Sequence, residues 1–178
     1  MSLDSRRFMS RLCLLLLSVW STAALATEEY LQLATCLGPQ QQTYSPALKL
    51  LPRQTYFSAE ATLNVCVTLD PALSSARFQV AGGGVASCTL ASLQSRIVLE
   101  WNTGETSIID MSSPLDLKPL GQTVVPSYGT VISGRFEGAL VVSVLELTPN
   151  DLALLKCLTT GVTESSGLIS MTFLQLLP

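Results

Sequence analysis

GQTVVPSYGTVISGRFEGALVVSVLELT, running from Gly121 to Thr148, is the stretch on which the fold turns. Two β-prone runs flank a short polar turn, Ser133-Gly134-Arg135-Phe136-Glu137-Gly138, whose glycines can take the positive φ of a tight hairpin. The stretch reads as one long antiparallel hairpin. Pro126 has no N–H to give a ladder, which puts the first arm at a sheet edge or beside a bulge.

Outward from this ribbon the same alternation recurs. Arg96 to Trp101, then Asn102-Thr103-Gly104, then Glu105 to Met111 form a second hairpin, with Ile97, Leu99 and Trp101 on one face and Arg96, Val98 and Glu100 on the other. Gly104 suits the left-handed position of a three-residue loop. Further strands are expected over Tyr30–Thr35 (ended by Gly38-Pro39), Gln54–Leu69 (stopped by Asp70-Pro71), Ala76–Ala81, Val85–Ser92 and Ser165–Gln175. Gly82-Gly83-Gly84 reads as the turn between two of these strands. A phosphate loop is disfavoured there, because no Lys-Ser or Lys-Thr follows. Leu152 to Cys157, capped by Asn150 or Asp151 and ended by Gly161, is the one short helix near the C-terminus.

Some eight to ten strands at this spacing make an all-β, antiparallel domain. Between a β-sandwich and a small barrel, the edge proline and the disulfides favour the sandwich. Strands pairing in sequence, with the last returning beside an early one, would give it an immunoglobulin-like outline.

The N-terminus is read as an export signal over residues 1–26. Arg6, Arg7 and Arg11 form the basic region, Leu12 to Val19 the apolar region, and Ala24-Leu25-Ala26 the cleavage site. The apolar run is well short of the ~20 residues of a spanning helix. Ser5-Arg6-Arg7 raises the twin-arginine route, but the leucine-rich core suits ordinary secretion. Leu33-Ala34-Thr35-Cys36 lies beyond the apolar run and has Thr before the Cys, which argues against a lipid anchor. A single domain over residues 27–178, secreted or periplasmic, is expected.

Of ten basic residues seven remain after the signal, and of thirteen acidic ones twelve, a net charge of 7 − 12 = −5. Such a surface is a poor match for nucleic acid, and no polybasic patch addresses an anionic membrane. Cys36, Cys66, Cys88 and Cys157 form an even set in an exported chain and read as two disulfides. Three pairings are possible. Cys36–Cys66 with Cys88–Cys157 is preferred because each bridge then ties an early strand to a later one. Without a Cys-x-x-Cys pair a zinc site is weakly supported.

The chain contains no histidine, which removes the commonest general base and the usual serine triad. There is no Gly-x-Ser-x-Gly elbow either. Glu100 with Glu105, and Asp110 with Asp116, could pair for glycoside hydrolysis, but a solvated outer face is the simpler account of them. No catalytic residue, cofactor or metal is therefore assigned. Arg135-Phe136-Glu137 at the hairpin tip is the candidate partner contact, with Phe136 either entering a partner's pocket or folding back over its own domain. Trp101 is the other candidate, as a ligand platform or as core.

Across residues 43–173 the order TYSPALKL (43–50), NVCVTLDP (64–71), ASCTL (86–90), EWNTGETS (100–107), GQTVV (121–125), GTVISGRFEGA (129–139) and LLKCLTTGVTESSG (154–167) resembles a family of small secreted, largely uncharacterised proteins of actinobacterial type. The resemblance implies export and a disulfide-linked β-fold, and brings no catalytic residue with it. Function is thus expected to be non-enzymatic, the binding of an envelope or extracellular protein or glycan. The alternatives are a structural subunit of a surface appendage and a small carboxylate-based glycosidase.

Overall fold

Strict alternation of small or apolar residues with polar ones generates the strands, and the structure, a computed structural model, describes residues 29–117, 124–148 and 153–177, without the side chains of residues 114–117 and 153–154. Among the described residues the order is β1 (Tyr30–Leu48), β2 (Arg53–Leu63), β3 (Val65–Thr68), β4 (Ala76–Ala86), β5 (Leu90–Trp101), β6 (Thr106–Leu117), β7 (Val124–Gly134), β8 (Leu140–Leu147), α1 (Ala153–Leu158) and β9 (Val162–Leu176). The all-β class and the short helix near the C-terminus agree with the sequence. The signal segment and the Asn150 or Asp151 cap lie outside the described residues.

The sheet does not stay open. Its order is β2-β4-β5-β6-β7-β8-β9-β1-β3, and β2 also pairs with β1, so eight strands close into an antiparallel barrel. An open sandwich of immunoglobulin-like outline was the expectation, and the length of β1 is the physical reason for the difference. Its 19 residues pair along one side with β9. Along the other side Ala34–Leu37 pair with β3, and Gln40–Ser45 pair with β2. The rims that a sandwich would leave free are joined, leaving among the described residues the four-residue β3 paired on one side only. Gly38-Pro39, expected to end the first strand, instead sits in mid-strand, at the point where β1 passes from one neighbour to the other.

A second departure has the same origin. Gly82-Gly83-Gly84 does not turn the chain; it lies inside β4, paired with β2 on one side and β5 on the other. A Cβ on Gly82 would run into the Gln94 carbonyl oxygen, and one on Gly84 into that of Ser92. The glycines let neighbouring backbones approach as the wall bends round the barrel. The reversal comes later, where the Ser87 N–H donates to the Leu90 carbonyl at 2.7 Å.

Inside, Leu63, Leu73, Leu99, Ile109, Val131, Val141, Met171 and Phe173 are fully buried. Each such side chain contributes roughly 1.5–3 kcal/mol by leaving water. The preferred disulfide pairing is the one formed. Cys36–Cys66 joins residues directly opposed in β1 and β3, with Cα atoms 4.0 Å apart. Cys88–Cys157 ties the β4–β5 turn to α1. Two disulfides suit an oxidising compartment outside the cytoplasm. Among the described residues no helix is long and apolar enough to cross a membrane.

Candidate interaction surface

The two hairpins singled out in the sequence meet at one end of the barrel. Trp101 closes β5 and is 3% exposed; its ring packs edge-on against Phe136 at 5.5 Å and tilted against Phe173 at 5.6 Å. Phe136 lies over the barrel end, half-buried against that pair, rather than reaching into solvent. The Trp101 Nε1–H donates to the Ser107 hydroxyl at 2.9 Å, and that hydroxyl donates to the Arg135 carbonyl at 2.6 Å. One indole thereby holds the tip of the β7–β8 hairpin. The Arg135 guanidinium is also engaged, 2.7 Å from Asp70 and 3.6 Å from Glu105, with its carbon 5.1 Å from the Phe136 ring centre. A shallow cleft lined by Glu105, Thr106, Gly134, Arg135 and Phe136 opens beside it. Glu137 stands exposed at the tip.

The carboxylates considered for hydrolysis have separate partners. Glu100 faces Arg77 at 2.9 Å, Glu105 faces Arg135, and Asp110 takes both Nε and an Nη of Arg96 at 2.6 and 2.8 Å. The hydrogen bonds from Arg96 hold the Asp110 carboxyl below its ordinary range, although both groups lie in solvent. The Asp116 side chain lies outside the described residues. No two of Glu100, Glu105 and Asp110 share an arginine.

At the other end the interior changes character. Gln40, 7% exposed, donates from its side chain to Gln42 at 3.2 Å; Gln42 donates to the Ser165 hydroxyl at 2.9 Å; and the Tyr44 hydroxyl meets the same Ser165 oxygen at 3.1 Å. Gln40 Oε1 is buried without a partner among the described residues. Burial pushes the Tyr44 phenol above its ordinary pKa, against the opposing pull of its hydrogen bonds from Ser165 and Gln42.

The outer wall holds the feature that sequence reasoning missed. Across β7, β8, β9, β1 and β3 one rung runs Tyr128, Val142, Thr172, Thr35, Val67. The next runs Pro126, Val144, Ser170, Leu37, Val65, and the one beyond it Val124, Glu146, Leu168, Pro39. On the far side of the first rung stand Thr130, Leu140 and Leu174. Glu146 is the single side chain charged at neutral pH among these positions. Val65 and Val67 are 60% and 69% exposed, and Leu37, Tyr128 and Leu168 between 42% and 46%.

The opposite wall is more polar and carries two of the ion pairs, although Val98 and Tyr56 on it are 45% and 64% exposed. Thr62, Arg77, Glu100 and Thr106 form one of its rungs, Glu60, Gln79, Val98 and Ile108 another, and Arg96 opposes Asp110. The signal for this division was present in β8, whose Leu140, Val142 and Val144 face outward while Val141, Ser143 and Leu145 face inward. Strands apolar at both parities are those covered on both faces. Contiguous exposed apolar patches larger than a few hundred Å² are uncommon on monomeric soluble proteins. No family model, no curated protein and no solved structure matches the chain.

Proposed function

We propose that this protein is an exported, non-enzymatic binding module that docks a protein of the envelope or extracellular space on the β7–β8–β9–β1–β3 wall. The observation that carries the reading is the contrast between that wall and the ion-paired one behind it. Polar side chains suffice for solubility on one half of the barrel, so the apolar half needs a reason of its own, and a partner supplies one. A protein fits better than a glycan, since sugar hydroxyls ask for hydrogen-bonding groups and this wall offers aliphatic side chains. The disulfides, the signal-like N-terminus and the resemblance to small secreted proteins support the compartment. A structural or assembly role is the second reading, favoured by the strands that are apolar on both faces. A glycosidase has less support, because each candidate carboxylate with a described side chain is taken by a different arginine.

The test is site-specific photo-crosslinking in the producing cell, from a benzophenone side chain replacing Leu168 or, as a control, Gln79 on the opposite wall. A discrete adduct from position 168 and none from 79 is the expected result. Equal adducts from both positions, or turnover of chromogenic glycosides that Glu100→Gln abolishes, would overturn the reading.

A further inference from the structure

We infer that the barrel end carrying the β1–β2 turn and α1 docks on the surface of an anionic lipid bilayer. The inference goes beyond the proposed reading, which places a protein on the side wall. Three segments far apart in sequence are gathered at this end. The β1–β2 connection is Lys49-Leu50-Leu51-Pro52. The Cys88 N–H of the β4–β5 turn donates to the Lys49 carbonyl at 2.9 Å, and Cys88 is bridged to Cys157 of α1. A Cβ on Gly161 would lie 2.8 Å from that of Ala47, so the chain leaving α1 returns to the same turn.

Turns favour Gly, Asn, Asp and Ser, yet two leucines take this one. Leu51, at 80%, is the most exposed large apolar side chain among the described residues. On α1, Leu155 and Leu158 are 58% and 59% exposed and, three residues apart, share a face, whereas Cys157 between them is buried. Cations flank these leucines. Lys49 and Lys156 adjoin them in the chain, and the Arg53 guanidinium donates to the Ala47 carbonyl at the base of the turn. None of the three enters an ion pair among the described residues, where the pairs belong to Arg77, Arg96 and Arg135. The described residues of the two turns and α1 include no carboxylate, and Glu164, opposite Thr43, stands back along β9. The far end of the barrel instead sets Asp70 and Glu105 against Arg135. Lys49 and Lys156 are widely separated in the sequence, which is why no basic cluster shows there.

Binding at a lipid interface grows with the apolar area buried and with attraction to anionic headgroups. This end offers both, with leucines to enter the acyl boundary and unpaired cations to stay at the headgroups. The leucines stand on two separate projections, a turn and a helix, and a fluid bilayer takes up such relief without a matching shape.

Flotation of the exported, oxidised protein with vesicles containing phosphatidylglycerol, and with pure phosphatidylcholine vesicles, tests this. The wild type should float with the first at low salt and stay behind with the second, and added salt should release it. Leu51→Ser, at a tip exposed enough to spare the fold, should weaken partitioning several-fold. Lys49→Gln together with Lys156→Gln should lower it about tenfold or more, each cation near such a surface being worth roughly fivefold. Leu168→Ser, on the side wall, should leave it unchanged. Equal flotation with both vesicles, flotation with neither, indifference to either change at the barrel end, or a loss caused by Leu168→Ser overturns the proposal. The crosslink from position 168 reads the side wall separately, so either surface can fail while the other stands.

Discussion

The two ends of the barrel interior solve the same filling problem with different chemistry. At one end Trp101, Phe136 and Phe173 interlock with aliphatic side chains, and the indole N–H is fully employed. At the other, Gln40, Gln42, Tyr44 and Ser165 run as a hydrogen-bonded chain, with one amide oxygen left over. The first end stabilises through area and close packing, where every lost atom leaves a void. The second gains little net energy per bond, because water offered those bonds in the unfolded chain. Stability should therefore be concentrated at the aromatic end.

The largest test of that asymmetry is Phe173→Ala. Phe173 is fully buried and touches both other rings. Its truncation should cost about 3–5 kcal/mol, read as a lowered urea midpoint at unchanged slope. A loss under about 1 kcal/mol would mean that the end collapses easily, and that the aromatic cluster is not where the fold is held.

Gln40→Met should do far less. The substitution keeps the volume while removing the partnerless oxygen, at the expense of one hydrogen bond to the partly exposed Gln42. The two effects oppose each other, so the change should fall within about 1 kcal/mol of zero and could be stabilising. A cost comparable to that of Phe173→Ala would show that the polar chain is a structural element in its own right, and the contrast between the ends would fail.

Much of this architecture is legible in the residues, and the parts that are not share one cause. Alternation places Ile97, Leu99 and Trp101 inward and Gly104 at its turn with φ +86°, while the cysteine pairing preferred on an early-to-late tie is the one that forms, although Cys88–Cys157 joins a turn to α1 rather than two strands. Ring closure depends on which strands meet at the ends of the order, here β1 with both β9 and β2, and local pattern carries no trace of that. Gly38-Pro39 and Gly82-Gly83-Gly84 have the composition of turns, yet bending a strand round a barrel calls for the same residues as reversing it. The Trp101 and Phe136 rings raised the choice between surface and core, which only the packing of Phe173, far along the chain, decides. The apolar outer wall had a visible sign in the two-sided run Leu140 to Leu145, and in charged residues at 13% where globular chains average about 25%. Taken only as one arm of a hairpin, that run is assigned no outward face from the sequence.

The finest probe of the two ends is alkaline pH, because Tyr44 ionises at the polar end and no titrating group takes part in the ring contacts among Trp101, Phe136 and Phe173. Burial raises the folded-state pKa of Tyr44 above the unfolded value near 10. The folded protein then holds the phenolic proton more tightly than the unfolded chain does, so this contribution is fully present below about pH 10 and is lost as pH rises through the folded pKa. Tyr44→Phe removes the titration together with the hydrogen bonds from Ser165 and Gln42, a loss of about 1–2 kcal/mol at neutral pH. Denaturation curves between about pH 8 and 11, spanning the ordinary phenol pKa, should show the wild type falling more steeply than the variant above pH 10, so that the two converge. Parallel curves would mean that the Tyr44 phenol is solvated in the folded state, and that the polar end of the barrel is open to water rather than closed around its hydrogen-bonded chain.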